Sequence, residues 1–140
     1  MIIGIGHDQT EILRVQDAVA RHGQRFLDRV FSATEQAYAA QKSTPEGRAA
    51  TLAKRFAAKE ACAKALGTGF GASAHWAEIE VQNDAKGKPS LVLSGQAAAT
   101  LHALVPENHC AQLHLSLSDE GPFASAFVII DAVPVSVPAP

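Results

Sequence analysis

Apolar and polar residues change their rhythm about halfway along the chain. The first half repeats at helical spacing and the second half alternates. Ile2 to Ile5 is a short β-prone run that predicts a buried strand, ended by Gly6, with Asp8 just beyond it. Thr10 is then placed to cap a helix, with Glu11 favourable in its first turn. Ile12, Val15 and Val19 recur at helical spacing and predict a core face. Arg14, Arg21 and Arg25 fall on another face if that helix passes Gly23, which is a natural stop. Ser32-Ala33-Thr34-Glu35 is a capping-box pattern that starts a short helix through Tyr38. Thr44 and Pro45 suit the cap and first position of an alanine-rich helix running to about Leu66, before Gly67. Leu52, Phe56, Ala63 and Leu66 supply its core stripe.

Beyond a glycine-rich loop, Ala77, Ile79 and Val81 alternate with Trp76, Glu78 and Glu80 as in a strand. Asn83 to Pro89 reads as a turn and Ser90 to Leu93 as the partner strand. Gln96 to Leu104 is a short helix. Leu113, Leu115 and Leu117 then alternate with Gln112, His114 and Ser116, and a turn at Asp119 to Pro122 leads into a last strand, Ala124 to Ile130. Helices first and antiparallel strands afterwards predict an α+β fold. The pattern places one domain over 1–131 and an extended proline-rich tail over 132–140.

With 140 residues, 47% of them hydrophobic, the chain can bury a core of its own. A formal charge of −2 announces neither a nucleic-acid nor a membrane partner. The apolar start lacks a basic segment, is broken by glycines and is too short to span a bilayer. Cys62 and Cys110 show no metal or disulfide spacing, so a reducing, cytoplasmic home is expected.

Three places could carry chemistry. Asp8 follows a glycine-bracketed strand, where a carboxylate can project toward a ligand, although position alone favours a helix cap. Glu60 and Lys64 stand four apart on the long helix and share a face. Taken alone they read as a solvated ion pair worth roughly 0.3–0.5 kcal/mol. The alternative gives Glu60 to a metal and Lys64 to a phosphate, with Arg55 and Lys59 adding positive charge. The loop Gly67-Thr68-Gly69-Phe70-Gly71 could cradle a phosphate through backbone N–H groups, or be a helix cap and linker; no Walker sequence follows it. The six histidines are not paired with cysteines at zinc spacing, and no Gly-x-Ser-x-Gly elbow occurs.

Together these segments resemble the holo-acyl-carrier-protein synthase family of small phosphopantetheinyl transferases, from Met1 to about Ile130. The sharpest elements are Gly4-Ile5-Gly6-His7-Asp8 with Glu11 and Arg14, and Arg55-Phe56-Ala57-Ala58-Lys59-Glu60-Ala61 running into Lys64-Ala65-Leu66-Gly67-Thr68-Gly69. Support comes from Arg29-Val30-Phe31-Ser32 with Glu35 and Tyr38, from Ile79-Glu80-Val81, Gly87-Lys88-Pro89 and Leu93-Ser94-Gly95.

The resemblance implies an antiparallel sheet packed with a long helix and shorter ones. It also implies transfer of 4′-phosphopantetheine from coenzyme A to a serine of an acyl carrier protein, as fatty acid biosynthesis requires. It assigns Mg²⁺ to Asp8 and Glu60, catalysis to these two and Lys64, and coenzyme A contacts to Arg55, Lys64, Gly67 and Gly69. Arg14, with Arg21 and Arg25, is assigned to the acidic carrier, and a homotrimer with sites between subunits is implied. Two positions depart from the family pattern: His7, usually small or apolar, and Asp119, where the family usually reads a histidine. Asp119 raises the alternative of a relative that binds coenzyme A without transferring its arm.

Overall fold

Ten consecutive residues at the N-terminus, Ile2–Glu11, form strand β1 in the computed structural model, which describes residues 1–67 and 75–136. The strand is longer than the hydrophobic run predicts. Its backbone pairs antiparallel with the last strand as far as Glu11 opposite Phe123, so Asp8 and Thr10 are strand residues facing Ala126 and Ala124. A ladder of main-chain hydrogen bonds here outweighs the weak strand preference of Gly6, Asp8 and Gln9. Thr10 therefore caps nothing. Helix α1 (Ile12–His22) begins without a side-chain cap, and the Ile12 N–H donates instead to the Pro122 carbonyl at 2.8 Å.

Gly23, with φ of 56°, ends α1 and separates it from α2 (Gln24–Val30), so Arg25 belongs to a different helix from Arg14 and Arg21. Helix α3 (Ala33–Ala40) carries the expected capping box between Ser32 and Glu35. Helix α4 (Pro45–Ala65) is 21 residues long, with Thr44 accepting from the Gly47 N–H and Pro45 in its first turn. A 3₁₀ turn at Trp76–Glu78 takes the place of the predicted start of a strand. A hairpin, β2 (Ile79–Asn83) and β3 (Pro89–Leu93), follows it. Then come α5 (Gly95–Leu104), β4 (His109–Glu120) and β5 (Phe123–Pro134). The main sheet is antiparallel in the order β1-β5-β4, and β2-β3 forms a second, two-stranded sheet.

β5 extends past the predicted domain end at 131. The Ala132 N–H donates to the Met1 carbonyl at 2.7 Å, and the N-terminal ammonium pairs with Asp131 at 2.9 Å. The rest of the tail, from Val137, lies outside the described residues.

The sheet packs against α4 through a face of small residues. Ala57, Ala58, Ala61, Cys62 and Ala65 meet Ala126, Val128 and Ile130, with Leu113, Leu115 and Leu117 alongside. Contact is closest at Gly4 and Gly6. A Cβ on Gly6 would fall inside the van der Waals shell of the Ala61 carbonyl, and one on Gly4 would do the same at Ala65. A second apolar cluster, around Val15, Val30, Phe31, Ala39, Leu52 and Ala53, fastens α1 to α3 onto the first half of α4.

One ion pair is fully buried between these layers. Lys59 Nζ lies 2.8 Å from Glu35 Oε1 and also donates to the carbonyls of Trp76 and Ile79. Glu35 completes its own set with the N–H groups of Ser32 at 2.9 Å and Val81 at 3.0 Å. Burial holds the Lys59 ammonium below its usual pKa, while Glu35 pulls it back up. Lys59 is thus a strut joining α3, α4 and β2, rather than a cation near a phosphate.

Two stability predictions arise from this packing. Gly6→Ala should cost about 3 kcal/mol or more, because backbone rather than a flexible side chain blocks the new methyl; a urea titration reads the loss. Lys59→Met should cost about 3–5 kcal/mol by stranding the Glu35 charge. The double variant Glu35→Gln with Lys59→Met should recover part of that loss in the same titration.

Candidate active site

Alternation along β1 puts Gly4, Gly6, Asp8 and Thr10 on the face toward α4 and the helices. Asp8 emerges just past the close contact and meets the side of α4 that presents Glu60 and Lys64. The three line one cavity of about 480 Å³ with Gln9, Thr10, Arg14, Val15, Ala18, Phe26 and Phe56. Phe56, assigned to the core from its spacing, is only half-buried; it stacks on Trp76 with ring centres 4.9 Å apart and forms a wall of this cavity.

Lys64 does not behave as a helical surface partner of Glu60. Its Nζ donates to Asp8 Oδ1 at 3.1 Å and to the His7 carbonyl at 3.0 Å, bridging strand and helix. Thr10 Oγ1 donates to Asp8 Oδ2 at 3.1 Å, so both oxygens of that carboxylate are held. Glu60 has its pKa raised, first by burial and then by the negative charge of Asp8, with Lys64 opposing. Two carboxylates thus share one ammonium. This donor set suits a small, hard divalent cation, which takes oxygen ligands and draws several of them from water and substrate phosphates. Among the described residues no cluster of three or more His, Cys, Asp or Glu side chains could hold a metal by itself.

The remaining predicted residues do not all converge here. Arg14 lines the cavity, but Arg21 and Arg25 are exposed on α1 and α2 and do not. Gly67 is exposed just after α4, and Gly69 lies outside the described residues. Arg55 is buried elsewhere, because its place on α4 faces β2. Its guanidinium donates to Asn83 Oδ1 and lies over the Tyr38 ring, 4.2 Å from the centroid. It borders a separate pocket of about 330 Å³ with Thr34, Gln82 and Asn83, and its buried Nε has no hydrogen-bond partner among the described residues. Asp119 pairs with Lys54 at 2.8 Å and does not line the Asp8 cavity. Gln9, Thr10, Ala18 and Phe26 were not picked out from the sequence as parts of a site. Only the alternation of β1 could have signalled Thr10, and reading that strand as ending at Gly6 hid it.

With this geometry in place, comparison with known proteins is decisive. Residues 4–118 match the sequence profile of the 4′-phosphopantetheinyl transferase superfamily. The chain belongs to that superfamily. Over 137 residues it is 51% identical to a holo-[acyl-carrier-protein] synthase of Rhodopseudomonas palustris, with 97% of each chain covered. It is 52% identical over 134 residues to the enzyme of that name from Xanthobacter autotrophicus, covering 96% of this chain and 97% of the other. The crystal structure of the holo-[acyl-carrier-protein] synthase from Neisseria meningitidis superimposes with a TM-score of 0.78 at 34% identity, covering 94% and 99% of the two chains. The Helicobacter pylori protein, solved in complex with coenzyme A, gives 0.75 at 30% identity over 91% and 99%. The expected fold and family both hold for this transferase-superfamily chain.

The burial of Glu60, with Asp8 beside it, has a measurable sign. A carboxyl whose pKa is raised by folding stabilises the protein while protonated, and that contribution is lost as pH rises through the folded-state value. In chelator at neutral pH, Glu60→Gln should therefore raise the melting temperature, by only about 1–3 °C because water screens a half-buried group. The gain should vanish when wild type and variant are compared in acid, below the ordinary glutamate range.

Proposed function

We propose that this protein transfers the 4′-phosphopantetheine arm of coenzyme A to a serine of apo acyl carrier protein, leaving adenosine 3′,5′-bisphosphate. The observation that carries this reading is the meeting of Asp8, Glu60 and Lys64 in one cavity, from a strand and a helix far apart in sequence. The sequence relatives bear the name of that activity, and a structural neighbour was solved with coenzyme A.

In this mechanism Asp8 and Glu60 would hold Mg²⁺ through their carboxylates, which would offset their mutual repulsion. When bound, the ion supplies positive charge to the phosphates and neutralises the leaving group. The carrier serine oxygen forms a bond to the β-phosphorus as the bond to the bridging pyrophosphate oxygen breaks; the hydroxyl proton passes to solvent water, and adenosine 3′,5′-bisphosphate leaves with the bridging oxygen and its electron pair. Lys64, exposed and held among the described residues by hydrogen bonds to Asp8 and the His7 carbonyl, would turn to the departing phosphate. Thr10 keeps Asp8 oriented through its hydroxyl. Arg14 at the cavity edge, with Arg21 two turns later on α1 and Arg25 on α2, offers positive charge to an acidic carrier helix.

We extend the proposal to a homotrimer with each site shared between neighbours. Ile5, Phe123 and Phe127 stand on the outer face of the sheet, 63%, 39% and 50% exposed, and an apolar face of that kind marks an association surface. Coenzyme A would place its pyrophosphate at Lys64 and its outlying phosphate on Arg55, whose Nε has no acceptor among the described residues. Gly67, just after α4, would contribute a backbone N–H group, and Gly69 is assigned to the same ligand. A carrier of fatty acid biosynthesis, in the cytoplasm, is the substrate we assign. Among the described residues no helix is long and apolar enough to cross a membrane.

Intact mass of an apo carrier after incubation with enzyme, coenzyme A and magnesium tests the reading. The carrier should gain one phosphopantetheine, EDTA should prevent it, and Glu60→Gln should slow it on the order of 10³-fold while keeping the fold. Wild-type turnover in that variant would remove Glu60 from the metal site. Binding of coenzyme A with no gain on any carrier would favour a non-transferring relative.

A further inference from the structure

A second cavity, of about 400 Å³, lies between α1, α3 and the start of α4, and the reaction above makes no use of it. Its size falls in the range of small-molecule sites. The walls are largely aliphatic, with Val15, Val19, Leu27 and Leu52 prominent. Arg48 is the single charged residue in the lining, and no carboxylate joins it. Its side chain makes one long hydrogen bond, to the Lys42 carbonyl at 3.4 Å, and no ion pair among the described residues. A guanidinium has five N–H donors in a fork, so most of its capacity is open to a carboxylate.

An aliphatic slot with one cationic fork in its lining is complementary to an apolar chain that ends in an anion. A bare phosphate would leave the slot unfilled, and an uncharged apolar segment would leave Arg48 without a counter-charge. We infer that this groove binds a medium-chain fatty acid, with its tail among Val15, Val19, Leu27 and Leu52 and its carboxylate on Arg48. Val15 also forms a wall of the cavity that holds Asp8, Glu60 and Lys64. An occupant would therefore press on the helix that carries Arg14 to the neighbouring site.

Calorimetric titration of the full chain with hexanoate, octanoate, decanoate and dodecanoate, each below its micelle concentration, tests this without reference to transferase activity. One-to-one binding should tighten about fourfold per added methylene until the groove is full. Decanoate should bind about tenfold tighter than decanol, and Arg48→Gln should erase that preference while leaving decanol unaffected. Ala20→Phe, at an exposed position of the lining, should block acid and alcohol alike. Absence of saturable binding would overturn the inference, as would binding that survives Ala20→Phe. It would equally fall if sedimentation showed self-association that Ala20→Phe abolishes, since a second copy of the chain would then be the occupant.

Discussion

The close approach of β1 to α4 is the contact on which everything else in this molecule rests. Alternate strand residues lie roughly 6.5–7 Å apart, and successive helical turns rise about 5.4 Å. Gly4 and Gly6 can therefore sit against Ala65 and Ala61, one turn apart on α4. Without side chains on that face of the strand, the two backbones meet directly. Two residues further along, the first side chain to leave this seam is Asp8, and it emerges beside Glu60 and Lys64. The same contact that closes the core thus fixes the distance between the strand carboxylate and the helix carboxylate.

α4 carries charge on two sides for opposite purposes. Lys59 and Glu60 are adjacent, so they point about 100° apart around the helix. Lys59 turns inward, where Glu35 and two carbonyls satisfy it away from water. Glu60 turns to the cavity, where the nearest charges are a like carboxylate and one shared lysine. The inner pair is complete and needs nothing further. The outer group is short of positive charge, which is the condition that favours a bound cation and, with it, a polyanionic substrate.

Much of this was legible in order of residues. The capping box at Ser32 and Glu35, the Thr44-Pro45 start and the Gly23 stop are local devices, and they appear in the structure where their chemistry places them. The two motifs that hold Asp8 and Glu60 were likewise visible, and with them the family. The reach of β1 was not, because its second half contains poor strand formers that are held only by the ladder to β5. For the same reason Asp8 and Thr10 both read as caps of the following helix, when Thr10 orients Asp8 within the strand.

Sequence alone determined the starts of α3 and α4, the stop at Gly23, the division into a helical and a stranded half, and the residues proposed to bind metal and phosphate. These depend on interactions within a few positions along the chain, or on side-chain chemistry itself. Tertiary structure decided the partnerships. It gave Lys64 to Asp8, sent Lys59 into the core with Glu35, set Arg55 beneath Tyr38 and paired Asp119 with Lys54. Each of these depends on which side of α4 faces the sheet, and that orientation is set where the two backbones meet, at Gly4 and Gly6.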